Sequence, residues 1–185
     1  MKHRPLVFLD IETTGANARR SRITEIGAIR VEDGVIVKKY SQLVNPETPV
    51  PRFITKLTGI TNEMVWDAPT FRGIVDELEL VLSDAIFIAH NVNFDYGFIK
   101  EEFRRIGYVF NMDRACTVRL SRKLYPQHRS HALDRIIERL GVNVKNRHRA
   151  YDDAEVLHTF FETERQKNEL QLFKVIDSIT VRSRG

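Results

Sequence analysis

The chain has 185 residues, 42% hydrophobic and 29% charged, with a net charge of +4. That balance suits one globular domain with its own core and excludes a low-complexity or repeat protein. No apolar run reaches the length of a membrane span, Met1-Lys2-His3-Arg4 carries no signal-peptide cleavage pattern, and the single cysteine, Cys116, excludes an internal disulfide. A cytoplasmic protein without a membrane partner is expected. The apolar run Leu6-Val7-Phe8-Leu9 predicts a buried first strand, from Leu6 to Asp10. Ile23 to Val31 reads as a second strand, and Asp33-Gly34 as a hairpin turn into a third, Val35 to Val44. A loop from Asn45-Pro46 to Pro51 precedes a short helix, Arg52 to Leu57, ended by Gly59, and Thr61-Asn62-Glu63 caps another. Phe71, Ile74, Val75, Leu78, Val81 and Leu82 recur at helical spacing. Ala85 to Ala89 is a compact strand, and Phe94, Phe98, Ile99 and Phe103 stripe the next helix, closed by Gly107. A strand within Asn111 to Cys116 leads to a helix at Thr117 to Leu124. Another follows from Ala132 to Leu140, ended by Gly141. The last long helix runs from Asp152 to about Gln166, leaving a helical tail over 166–185 behind a single domain whose core spans about 5–165. An antiparallel meander followed by strands alternating with helices predicts a mixed, five-stranded α/β sheet flanked by helices.

Three short segments stand out chemically. Asp10-Ile11-Glu12-Thr13-Thr14-Gly15 closes the first strand, and carboxylates at i and i+2 project from one face. Two like charges held that close call for a cation, and carboxylate oxygens suit a hard divalent ion. Thr13-Thr14-Gly15 then turns the chain, with backbone amides expected to be free for a phosphate. His90-Asn91-Val92-Asn93-Phe94-Asp95 follows the fourth strand, which places Asp95 in the first turn of a helix. In His148-Arg149-Ala150-Tyr151-Asp152-Asp153 the histidine sits on a polar loop and the aspartates open a helix. Spacing alone does not choose between Asp152 and Asp153. Sites gather at strand ends in open α/β sheets. Four carboxylates converging there would suit two magnesium or manganese ions roughly 3.5–4 Å apart, with histidine as a base. Arginines and lysines are dense from Arg104 to Arg149, where they could meet phosphates, although solvated helix faces explain each one singly.

These three motifs, in this order and spacing, resemble the DEDDh 3′-5′ exonucleases, a family with the ribonuclease H-like fold, and within it most closely the proofreading ε-subunits of bacterial DNA polymerase III. The likeness runs from about Pro5 to Phe161 and extends to Leu57-Thr58-Gly59-Ile60-Thr61 and Ser130-His131-Ala132-Leu133. It implies stepwise hydrolysis of single-stranded DNA 3′ ends to nucleoside monophosphates, in proofreading or repair. It selects Asp153 over Asp152, with Asp10, Glu12, Asp95 and Asp153 on two Mg2+ or Mn2+ ions and His148 as the base. Thr13, Thr14, Gly15, Leu57, Thr58, Asn91 and Phe94 would line the terminal nucleotide. Exoribonucleases such as oligoribonuclease and ribonuclease T share the five catalytic residues, so RNA is the alternative substrate, and a non-catalytic accessory protein is a third reading. DNA polymerase III and its sliding clamp are the implied partners. The ε-subunits continue into a polymerase-binding segment, whereas this sequence ends at Gly185. Glu169-Leu170-Gln171-Leu172-Phe173 is similar to a clamp-binding peptide, yet Leu170, Phe173 and Ile176 also fall on one helical face that would pack on the domain.

Overall fold

A computed structural model describes residues 4–183. The first strand, β1 (Leu6–Thr13), is longer than expected because Glu12 still pairs with Glu25 on β2 (Ile23–Glu32). The strand β3 (Val35–Leu43) completes the antiparallel meander. Short helices α1 (Arg52–Thr58) and α2 (Asn62–Trp66) lead to α3 (Phe71–Leu82). Gly59 ends α1 at φ 75°, in the left-handed region that glycine enters without strain. Two parallel strands, β4 (Ile86–Ala89) and β5 (Arg114–Cys116), flank α4 (Asn93–Arg105) in sequence. The sheet order is β3-β2-β1-β4-β5. Helices α5 (Thr117–Leu124), α6 (Leu133–Leu140) and α7 (Ala150–Ile179) complete the chain.

Strand alternation sorts the core into two layers. Val7, Leu9 and Ile11 pack with Phe71, Leu78, Phe98 and Phe103 from α3 and α4. Leu6 and Phe8 face the other way, into Leu133, Ile136, Leu157 and Phe161 from α6 and α7. Asp10 and Glu12 continue the Leu6–Phe8 series, so they extend that second face towards the start of α7.

The last helix departs from expectation in how it joins the helical tail and in which residues it buries. It continues past Gln166 to Ile179, with a break at Asn168 (φ −162°, ψ 91°). Asn168 Oδ1 accepts a hydrogen bond of 3.0 Å from Gln171 N, so its side chain caps a second helical segment that folds back on the domain. The break rotates the apolar register. Leu170 is 76% exposed, while Leu172 is 1% exposed and packs with Ile176 and Ile179. The half-buried Phe173 ring meets Phe161 edge-on, with centroids 5.9 Å apart. The expected stripe of Leu170, Phe173 and Ile176 is thus replaced by Leu172, Phe173, Ile176 and Ile179. The Leu172 and Phe173 anchors of a clamp peptide are packed in this domain's own core.

Beyond α7, Val181 pairs with Arg114 in an antiparallel bridge. Asp113 clasps this edge: it accepts from Arg4 at 2.6 Å, from the Ser183 N–H at 2.6 Å and from Arg182 at 3.3 Å. The Ser183 amide first, with Arg4 adding to it, holds the Asp113 carboxyl down at about 2.

Candidate active site

The sheet brings the three motifs to one end. Asp10 and Glu12 lie at the end of β1, half-buried, opposite Gly27 and Glu25 of β2. Asp95 opens α4 from the opposite layer and is 2% exposed; the backbone N–H groups of Ile11 and of Asp95 itself hydrogen-bond its carboxylate. Asp153 is in the first turn of α7 and 4% exposed. Asp152, its neighbour, points elsewhere, lining a groove with Val142 to Lys145. Glu12, His148 and Asp153 each place a ligand atom within 4.8 Å of the other two. His148 has φ 61°, a conformation uncommon outside glycine that costs of order 1–3 kcal/mol and that packing must enforce.

The electrostatics show how crowded this corner is. Burial pushes Asp10 well above the usual carboxylate range, and Asp95, Asp153 and Glu12 push it further. Burial, followed by Asp153, Glu25 and Asp95, raises Glu12 to about 8. Burial raises Asp95 to about 8 against its backbone hydrogen bonds. Burial also raises Asp153, opposed mainly by Arg147. Arg147 donates through Nη1 to Asp153 Oδ2. The other carboxylate oxygen, Asp153 Oδ1, is buried and has no hydrogen-bond partner. Hard oxygen donors, mutual repulsion and a buried oxygen lacking a partner fit divalent magnesium or manganese, and no thiolate competes.

The position of Asp153 depends on an ion pair that sequence reasoning overlooked. Buried Glu25 takes Arg149 at 2.5 Å and the Ala150 N–H at 2.9 Å, which fastens the first residues of α7 to β2. Gly27, two residues along β2, permits this approach: a Cβ there would lie 2.2 Å from the backbone of Ala150. The available signal was one carboxylate inside the apolar run Ile23 to Val31. Arg147 carried no comparable signal among the surrounding cations.

The expected nucleotide-lining residues divide into two groups. The Thr13 hydroxyl donates to Gly15 O at 2.8 Å, and Thr14 Oγ1 accepts from Arg22 N at 2.9 Å. The Thr14 N–H, expected to be free for a phosphate, donates to Arg22 O at 2.9 Å, because the loop closes on itself as a continuation of the β1–β2 pairing. A Cβ on Gly15 would sit 2.7 Å from Ser21 Oγ, so the turn is closely packed. Thr58 is buried, with its hydroxyl donating to Ile54 O at 3.0 Å. Leu57 is 52% exposed, Asn91 is exposed with φ 63°, and half-buried Phe94 packs on Phe98 at 4.9 Å. His90 is tied to Thr117 Oγ1 at 2.9 Å, and burial followed by Arg147 lowers it to about 4, so it is neutral at physiological pH.

Known proteins similar to this chain are nucleases and polymerases. The exonuclease family matches residues 7–161. The DNA polymerase III PolC-type of Clostridium perfringens is 36% identical over 171 residues, which cover 91% of this chain and 12% of that protein. The 3′-5′ exonuclease DinG of Bacillus subtilis is 36% identical over 163 residues, covering 87% of this chain and 18% of that protein. The chain thus spans less than a fifth of the length of these two relatives. Among solved structures, exonuclease X in complex with 5′ overhanging duplex DNA superposes with a TM-score of 0.72 at 24% identity, covering 93% of this chain and 98% of that one. The nuclease domain of 3′hExo, a DEDDh family member bound to rAMP, gives 0.74 at 20% identity, covering 89% and 92%.

Proposed function

Because this chain belongs to the exonuclease family, we propose that it is a metal-dependent 3′-5′ exonuclease of the DEDDh kind, one that trims single-stranded DNA ends to nucleoside monophosphates in proofreading or repair. The observation that carries this reading is the convergence of Asp10, Glu12, Asp95 and Asp153 with His148 at one end of the sheet. Two divalent ions held by the four carboxylates would supply Lewis-acid activation of water and charge neutralisation at the leaving 3′-oxygen. The carboxylates would hold these ions in a pre-arranged place, and the ions' positive charge would in turn receive the anionic phosphodiester. His148 accepts the proton of the attacking water at its imidazole nitrogen. The half-exposed Leu57 side chain would pack against the terminal base, a contact indifferent to base identity, and exposed Asn91 and half-buried Phe94, beside Asp95 in sequence, would join it. Thr13, Thr14, Gly15 and Thr58 would act through the backbone they shape, since the three hydroxyls are engaged within the protein.

DNA is the preferred substrate because a similar stretch belongs to a DNA polymerase III. The rAMP bound to 3′hExo favours RNA as the second reading. Association with a replicative polymerase belongs to the same proposal and would use a surface other than the packed Leu172–Phe173 segment. The test is an assay on single-stranded DNA and RNA oligomers labelled at either end. A 5′-labelled DNA ladder that vanishes with chelator and returns with Mg2+ or Mn2+ is expected, with little turnover in Ca2+. Hydrolysis in excess chelator overturns the metal reading, and a ladder from RNA alone reverses the substrate.

A further inference from the structure

Arg147 is the cation closest to the chemistry that this reading leaves without a role. Its half-buried guanidinium lies between two carboxylates of different kinds. Nη1 donates to Asp153 Oδ2, in the buried cluster. Nε and Nη2 reach Asp134 Oδ1 at 2.9 and 2.8 Å, on the exposed first turn of α6 and outside the proposed ligand set. Its positive charge also opposes the upward shifts of Asp10 and Glu12. A divalent ion on Asp153 would meet this charge at contact range, where like charges repel strongly in a partly buried site. The exchange requires little motion. Giving up the single Nη1 contact frees Asp153, while Asp134 keeps Nε and Nη2. The segment from Gly141 to Arg149 that carries Arg147 is neither helix nor strand and can adjust.

We infer that Arg147 is a positioning residue of this site, an internal cation that holds Asp153 in place until divalent metal displaces it onto Asp134. The inference rests on the metal-dependent reading above and adds a competitor that sets metal affinity. It is tested by titrating Mn2+ into the full chain, following free Mn2+ by electron paramagnetic resonance. Arg147→Gln is expected to bind Mn2+ about 10-fold more tightly, the size of a nearby-charge effect on a carboxylate, and to melt lower without metal. Arg147→Lys, which restores the charge, is expected to bring affinity back towards wild type. Asp134→Asn, at an exposed position that tolerates substitution, is expected to weaken binding because the displaced guanidinium loses its partner. A purely structural role would lower melting in Arg147→Gln without tightening Mn2+. Unchanged or weaker affinity in Arg147→Gln overturns the inference, as does unchanged or tighter affinity in Asp134→Asn should the first variant fail to fold. A wild-type protein that binds no Mn2+ overturns the metal reading and the inference together.

Discussion

At the scale of single residues, the site separates chemistry from charge storage. His148→Ala is expected to keep the fold and Mn2+ binding while losing about 10²–10⁴-fold in rate, the usual cost of removing a general base. A wild-type kcat at neutral pH in that variant would show that another group takes the proton. The carboxylates predict a pH dependence of stability. Burial pushes Glu12 and Asp95 up to about 8 in the fold, far above the range they have in an unfolded chain. Between those limits the folded state holds protons that the unfolded state has released, so the metal-free protein loses stability as pH rises. Its Tm in chelator should therefore fall from about pH 5 to about pH 8. Added Mg2+ should restore it most at the alkaline end, where the carboxylates are bare. A Tm in chelator that climbs over that interval would contradict the crowding seen at Asp10, Glu12, Asp95 and Asp153.

At the scale of elements, the site is a problem of aligning two helix starts with one strand end. The alignment of α7 rests on Glu25 and Arg149. Arg149→Ala leaves a buried carboxylate without its charge partner, and breaking such a pair costs about 3–5 kcal/mol. Urea unfolding of the variant should register that loss, and exonuclease activity should fall with it as Asp153 drifts from Glu12. Periodicity revealed most of these elements because their apolar faces are regular: the stripes of α3 and α4 and the Asp33-Gly34 hairpin needed no tertiary information. The motif residues were legible for a different reason, since each lies at a strand end or helix start that local patterns already marked. Contacts between distant segments were not legible. Arg149 meets Glu25 across 124 residues of sequence, and nothing in either neighbourhood names the other. The helical tail was expected, but its register was hidden because Asn168 both interrupts one helical segment and caps the next, a dual use that composition does not advertise.

At the scale of the whole molecule, the second segment of α7 forms part of the layer beneath the catalytic strand. Leu172→Ala is expected to cost about 2–5 kcal/mol of stability, as for other buried leucines, measurable by denaturant unfolding. Loss of a partner without loss of stability would instead mark the segment as a docking peptide. The clasp at Asp113 couples the opening of the two edges of the fold. One carboxylate receives Arg4, just ahead of β1, and Arg182 with Ser183, just beyond α7. The Pro5 carbonyl is bonded to Ile86 N, and Val181 exchanges hydrogen bonds with Arg114. Fraying at either end must therefore release the same anion, so the two ends share one free-energy barrier instead of two. Amide exchange at Ile86 and at Val181 should report a single cooperative opening, one that acid triggers only as pH falls towards about 2.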